Sequence, residues 1–299
     1  MDVERLRVLR ELADRGTVSA TAAALSLTPS AVSQQLKILA REAGVPILEP
    51  DGRRLRLTDA GQALVLRAED VLAALARADA EMASYRRSPR GRVRVAMFPS
   101  GAALLLPRVL SRIAESGVEI DAQDVDEPAS SVPQLLADFD VILTHRDERA
   151  PSLISPRVRL EPILREPIDL VLPPDHALAG RPAVGLDELA EESWISVRGG
   201  FPVDDVLQSV AAATGVQPRV VQRINDFRVI EELVLGGHGV ALMPRYVPSH
   251  RGLVSKRLAG VRAARIYELA TRPAAVERPA VLAVLDAFRS AAAGVSTAS

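Results

Sequence analysis

The 299-residue sequence predicts an α/β protein with an N-terminal all-α head bearing a small β-wing, and a long helix joining head to body. Three observations carry this reading. The first 58 residues show helical periodicity interrupted by one Asp-Gly hairpin signal, and the chain then reads helical for nearly thirty residues without a proline. From residue 92 onward, apolar runs of strand length alternate with helical ones. A hydrophobic content of 48% is enough for two or three domains.

In the head, Leu6, Leu9, Leu12 and Ala13 share one helical face, and the helix should stop at Gly16. SATAAALSL follows as a second helix with Ser19 as N-cap, its alanines permitting close packing. A third helix begins with Thr28 as N-cap and Pro29 at the first position, and ends at Gly44. Val32, Leu36, Leu39 and Ala43 line its apolar face, whereas Ser30, Ser33, Gln34 and Lys37 gather opposite. Two short helices joined by a tight turn and packed on another read as a helix-turn-helix, at about 18–37. In ILEPDGRRLRLT, residues 47–58, Asp51-Gly52 marks a hairpin turn, and Arg54 and Arg56 alternate with Leu55 and Leu57.

After the capping residue Thr58, the residues Leu64, Ala68, Val71, Leu75, Ala78 and Met82 recur at 4-3-4-3 spacing. Such a stripe serves a dimer seam or packs the helix on its own domain; the length of the arm and its polar remaining faces favour the seam. The arm spans 59–88, and Pro89 and Gly91 mark a linker whose five arginines between 86 and 94 read as a solvated hinge. RVRVAMF, VEIDAQDV and DVILT then read as strands, with ALLLPRVLSRIAE and VPQLLADF as helices between them. A second series comprises IDLVLP, WISV, a helix after Pro202, RVVQR, a helix over 226–237 and VALMP. A C-terminal helix covers about 279–292, and VSTAS is a frayed tail.

Composition removes several chemistries. Without cysteine there is no disulfide, thiolate nucleophile or cysteine zinc site. His145, His176, His238 and His250 stand isolated, without metal-ligand spacing. No nucleophile–base pair, phosphate loop or metal cluster is visible, so no catalytic residue, metal or cofactor is expected. MDVERLRVLREL is not a signal peptide, and no segment reaches the roughly 18 apolar residues of a membrane span, so a soluble cytoplasmic protein is expected.

The stretch GTVSATAAALSLTPSAVSQQLKILAREAGVPIL, then GRRLRLTDAG and the helical arm, resemble the LysR-type transcriptional regulators. VRVAMFPSGAALLLPRVL and GGHGVALMP extend the resemblance over nearly the whole chain. It implies a winged helix-turn-helix over 1–58, a dimerising linker helix over 59–88, and an effector-binding domain over 89–299. That domain is two-lobed and like the type 2 periplasmic binding proteins. The chain would cross between lobes near 164–167 and 264–268. Lobe I would then hold about 92–164 and 266–299, and lobe II about 165–265. The wing departs from the family, which usually has Phe then Glu-Arg where this chain has Leu48, Glu49 and Pro50. Leu48 fills the apolar site less completely, and Pro50 removes an arginine and stiffens the turn.

The resemblance implies double-stranded promoter DNA, a small-molecule effector and a second or further copies of the chain, as dimer or tetramer, as partners. Thr28, Ser30, Ser33 and Gln34 occupy recognition-helix positions. Short serines let the backbone approach, and Gln34 can pair bidentately with an adenine. Lys37, Arg53 and Arg54 would reach phosphates or the groove. A solvated face of an ordinary amphipathic helix is the alternative. Through Thr58, nine basic residues stand against seven acidic ones, a net charge of +2, so affinity should lean on several half-sites.

For the effector, Ser100 with the amides of Gly101 and Ala102 lies where strand gives way to helix, suited to a carboxylate. A serine that merely caps the helix is compatible with that role. Thr144 ends DVILT. Arg198 and Phe201 lie in VRGGFPVDD, where the arginine could fix an anion. Phe227 either lines the cleft or packs in the core, and His238 is a turn residue. Helix N-termini plus an arginine favour an acidic metabolite or amino acid. An architectural DNA binder with a non-functional pocket, and less so a solute-binding protein or enzyme on the same fold, are the competing readings.

Overall fold

The structure is a computed structural model that describes residues 1–51, 54–84, 91–247, 252–260 and 262–296. The head comprises α1 (Val3–Arg15), α2 (Val18–Ala24), α3 (Pro29–Ala43) and a hairpin of β1 (Leu48–Asp51) and β2 (Arg54–Leu57). Asp2 caps α1, and Gly16 and Gly44 close α1 and α3 in the left-handed conformation. The N-cap of α2 is Thr17, not Ser19. Thr17 is the first extended residue after Gly16, so its Oγ1 accepts from Ala20 N–H at 3.2 Å and Ser19 falls inside the first turn. Thr28 caps α3 as expected, accepting from Ala31 N–H at 3.1 Å.

The arm is α4 (Asp59–Ser84). Its first turns belong to the head: Val65 and Ala68 are buried with Leu9, Val32, Leu36, Leu39 and Ile47. Gly61 permits this contact, since a Cβ there would lie 2.1 Å from the Ile47 carbonyl oxygen. The residues of the expected seam therefore divide. Leu64 and Ala68 pack within the head, whereas Val71, Leu75, Ala78 and Met82 are exposed on this chain. Most of the arginine-rich linker, Pro89 included, lies outside the described residues.

The body contains β3 (Gly91–Met97), α5 (Pro99–Ile113), β4 (Val118–Asp124), α6 (Val132–Leu135), β5 (Val141–Asp147) and β6 (Arg159–Leu172). After these come β7 (Ala183–Val184), β8 (Ser193–Ser196), α7 (Pro202–Thr214), β9 (Arg219–Arg223), α8 (Phe227–Leu235) and β10 (Val240–Pro244). The chain closes with β11 (Val254–Leu258), β12 (Ala264–Thr271) and α9 (Pro279–Ser296). One half-sheet runs β4-β3-β5-β12-β6, and β6 continues into a second that runs β6-β10-β8-β9, with β11 and β7 on its other side. Strand β6 pairs with β12 over 159–167 and with β10 and β11 from residue 168 on. The chain thus passes between the halves within β6 and again between β11 and β12. Each half has its own core, around Phe288 and Tyr267 in the first and Trp194 in the second.

Three strand features escape the periodicity. Strand β6 starts at Arg159, well before IDLVLP, because a register shift opposite Tyr267 and Glu268 accommodates Pro162. Strand β12 is masked in sequence by Arg265 and Glu268, and β7 and β11 are too short or too polar to signal. Helix α9 continues to Ser296 because Val295 is buried in the first core; Thr297 to Ser299 of the expected tail lie outside the described residues.

Head and body meet through a buried ionic cluster. Asp14 of α1 pairs with Arg157 and, at 2.5 Å, with Arg272. Glu69 of α4 meets the same two arginines at 3.6 and 3.1 Å. Arg15 reaches Asp138 at 2.7 Å.

Candidate functional site

On the head, α3 presents a polar face because its apolar residues are fixed inward. Val32, Leu36 and Leu39 are buried; Thr28, Ser30, Gln34 and Lys37 are exposed and Ser33 is half-buried. The amide of Ser30 lies in the first helical turn, where no helical carbonyl partners it. Ser26, in the turn before α3, holds a left-handed φ of 54° that sets the helix entry. Charge is partitioned. Arg5, Arg10 and Arg15 pair with glutamates of the head, and Arg56 pairs with Glu49 across the hairpin. Lys37 and Arg41 make no ion pair among the described residues and remain for an external anion. Pro50 pairs with Leu55 in the wing register. Arg53 lies outside the described residues, as does the side chain of Arg54.

In the body a cavity of about 540 Å³ opens between the two half-sheets. Phe98, Phe201 and Phe227 supply apolar wall, and Ser100, His145 and Arg265 are among its polar lining residues, with Asp124, Asp126, Asn225, Asp226 and Arg228. Two helices start here without side-chain caps: α5 after Phe98 and α7 after Phe201, each with proline at its first position. The amides of Ala102 and Asp205 already donate to Phe98 and Phe201 carbonyls at 3.0 Å. That corrects the expectation for Ala102. The donors left are those of Ser100 and Gly101 on α5, and Val203 and Asp204 on α7. Ser100 sits within the first turn rather than at the cap. Gly101 is required by packing, since a Cβ would lie 2.5 Å from the Phe98 ring.

Beneath the cavity lies Arg265, a residue the sequence reading passed over. It is fully buried. Its Nε donates to Glu166 Oε2 at 2.7 Å, and its Nη2 to Tyr267 Oη at 2.8 Å and Ser100 Oγ at 3.0 Å. Nη1 donates to His145 Nδ1 at 3.1 Å. Burial opposes the arginine charge, but Tyr267 and Glu166 hold its pKa above the ordinary value. Burial, seconded by Arg265, pushes His145 well below the usual imidazole range, so it is neutral. Its ring stacks on Phe98 with centroids 3.9 Å apart. In sequence both sit among other charges, Arg265 with Glu268 in AARIYELA and Glu166 with Arg165 and Asp169 in LREPIDLVL, so no local signal set them apart.

The remaining expected cleft residues separate. Thr144 does not end its strand, because His145, Arg146 and Asp147 continue the pairing with β12. Thr144 is buried beside a minor pocket, and its neighbour His145 lines the large cavity instead. Arg198 is paired within the chain. Its Nη2 donates to Asp126 Oδ2 at 2.8 Å, and its guanidinium lies 4.9 Å from the Phe201 ring centroid. Asn225 joins the same carboxylate at 2.6 Å, so Asp126 of the first half is clasped by two residues of the second. Phe201 and Phe227 both line the cavity.

Residues 3–62 match the family described as bacterial regulatory helix-turn-helix protein, lysR family, and residues 86–293 match the LysR substrate binding domain. The chain is 29% identical over 266 residues to the small neutral protease regulatory protein of Streptomyces coelicolor, covering 87% of this chain and 78% of the relative. Full-length OxyR from Pseudomonas aeruginosa superposes with a TM-score of 0.67 at 18% identity, covering 97% of this chain and 98% of its own. Full-length CbnR complexed with target DNA superposes with a TM-score of 0.56 at 19% identity, covering 98% and 100%. At these identities the structural likeness is one of fold.

Proposed function

The chain belongs to the LysR family of regulatory helix-turn-helix proteins, and from that membership we propose a division of labour among its parts. It is a transcriptional regulator that pairs a DNA-binding head with an effector-binding body. Residues 1–58 read promoter DNA, 59–88 join copies of the chain into a dimer or tetramer, and 89–299 bind a small effector bearing a carboxylate. Ser30, Ser33 and Gln34 face the base edges from α3, while Thr28, Lys37, Arg53 and Arg54 serve phosphates and groove. In the effector domain Ser100, Gly101 and Phe201 hold the ligand, with Phe227 across the cleft. Among the described residues no helix is long and apolar enough to cross a membrane, and the regulator works in the cytoplasm on DNA.

The observation that carries this reading is the exposed polar face of α3, on a head tied by Asp14 and Glu69 to the body that holds the cavity. Strand β12 connects the two sites, with Arg265 beneath the cavity and Arg272 just past its other end in the ionic cluster. A ligand that shifts β12 against β5 and β6 thereby biases where the head sits. The cleft binds rather than catalyses: Ser100 Oγ and His145 Nδ1 both meet the Arg265 guanidinium and do not form a nucleophile–base pair with each other.

The test is binding of the purified protein to the DNA upstream of its own gene, with excess competitor, followed by footprinting. Two protected half-sites about one helical turn or a multiple apart support the reading. Binding only at low salt, with no preferred site, assigns an architectural binder instead.

A further inference from the structure

The strand order β4-β3-β5-β12-β6-β10-β8-β9 puts β4 outermost in the first half of the body and β9 outermost in the second. Strand β4 lies three strand spacings from β12, and β9 three from β6, about 14 Å in each case. The residues just past these two outermost strands nevertheless meet. Asp126, two positions after β4, accepts from Arg198 Nη2 on Oδ2 at 2.8 Å and on its carbonyl oxygen at 3.3 Å. Asn225, two positions after β9, donates Nδ2 to the same Oδ2 at 2.6 Å. Its amide is aimed there, because Asn225 Oδ1 accepts from the Arg198 backbone N–H at 2.8 Å.

Further hydrogen bonds between the halves lie close to where the chain crosses. Glu166 Oε1 accepts from the Tyr246 amide at 2.6 Å. Ser209 Oγ donates to Asp147 Oδ2 at 3.1 Å, and Asp147 faces Arg265 in the register of β5 and β12. If one half rotates against the other about β6 and β12, contacts beside that axis hardly lengthen. The Asp126 contacts stand at the end of the lever instead. A rotation of about 15° parts them by about 4 Å, which breaks the hydrogen bonds. Asp126 and Asn225 also line the cavity, so the same rotation widens it.

We propose that Asp126, Arg198 and Asn225 form a latch that holds the two halves closed over the cavity, and that its release opens the cavity by rotation about β6 and β12. The structure is the latched state. Arg198 and Asp126 are 57% and 32% exposed, so water and salt compete for the pair and the latch can release. Asn225 beside the carboxylate and the Phe201 ring 4.9 Å from the guanidinium give it the fixed geometry that an exposed ion pair alone lacks. The open form is a minor population of about 10% or less.

The experiment is a spin-label distance measurement on the full-length protein. The sequence has no cysteine, so labels at Ser111→Cys on α5 and Glu232→Cys on α8 mark one exposed position in each half. Dilution with unlabelled chain removes distances between copies. Asp126→Ala and Arg198→Ala should each raise the longer-distance fraction about threefold or more. Salt at about 1 M should do the same where the latch residues are unaltered, and should add little in Asp126→Ala. The charge swap Asp126→Arg with Arg198→Asp should return most of the short distance. A distribution indifferent to both single substitutions and to salt overturns the latch. A broadening that the swap fails to reverse assigns the change to lost packing and overturns it too. The salt series needs no change at the latch itself, so it decides the matter even where a variant does not fold.

Discussion

Glu166 Oε2 lies 2.7 Å from Arg265 Nε, and neither side chain has any exposed surface. They sit on adjacent strands in register, β6 and β12, at the place where the two halves of the body share β6. Tyr267 donates its hydroxyl to the same carboxylate oxygen at 2.7 Å, so the pair is fully embedded in hydrogen bonds. Burial pushes the Tyr267 phenol well above its usual range, which keeps it a donor at any physiological pH.

Removing one partner of such a pair is expected to be far worse than removing both. Glu166→Gln leaves a buried guanidinium uncompensated and should cost about 3–5 kcal/mol. The double variant Glu166→Gln with Arg265→Met should recover a substantial part. Urea unfolding followed through the single tryptophan, Trp194, measures both. A single variant that loses less than about 1 kcal/mol would mean that Arg265 finds another anion.

The cluster joining head to body makes a second prediction. Arg272 and Asp14 are 2.5 Å apart although 258 positions separate them in the chain. Arg272→Ala and Asp14→Ala should each destabilise the full chain, and the double variant should lose less than their sum by about 1–3 kcal/mol. Strictly additive losses would show that the two do not act as a unit in solution.

How much of this was legible beforehand follows from what each element depends on. The head was readable because α3 is fixed locally: Thr28, Pro29 and Gly44 punctuate it, and Val32, Leu36 and Leu39 declare its inner face. The cavity was half readable. Ser100 and Phe201 stand beside helix starts, which leave a local signature. Arg265, Glu166 and His145 meet only when β5, β12 and β6 align, and no local pattern encodes that register. The same non-locality explains Arg198, whose partner Asp126 comes from the other half. The seam stripe was readable as a stripe, but Ala68 sits in the head core because Val65 and Ala68 must cover Ile47.

Asp205, in the first turn of α7, gives a pH dependence. Its pKa is raised by burial first, then by the nearby carboxylates of Asp204 and Asp147. A carboxyl that holds its proton more tightly folded than unfolded adds stability below its unfolded pKa, and that stability is lost as pH rises through the folded one. Asp205→Asn removes the ionisation cost, so at pH 7 the melting temperature should rise by about 1–3 °C. The gain should shrink toward pH 4. A gain equal at both values would assign the effect to packing.

On the arm, Leu75 and Met82 are 39% and 55% exposed. Substituting both by glutamate removes nothing from the cores of this chain, so unfolding of the single chain should change little. Self-association should weaken by about tenfold or more if these residues form the seam between copies. Sedimentation at several concentrations checks this; an unchanged oligomer would place the interface elsewhere.

The recognition helix yields the prediction that bears most directly on function. Gln34 is exposed, Ser33 is half-buried, and neither takes part in the core that Val32 and Leu36 form. Ser33→Ala with Gln34→Ala should leave the fold and the oligomer intact while cutting the preference for operator over random DNA, each lost base contact worth about 1–3 kcal/mol. Lys37→Ala should act differently. A phosphate contact carries no sequence information, so all DNA should bind more weakly by a similar factor, and the log–log salt slope should fall by about one. Measuring both variants on operator and random duplexes over a salt series separates the two roles. Unchanged discrimination by the double variant would remove α3 as the reader of sequence, and unchanged salt dependence in Lys37→Ala would turn attention to Arg41, the other cation on this helix that makes no ion pair among the described residues.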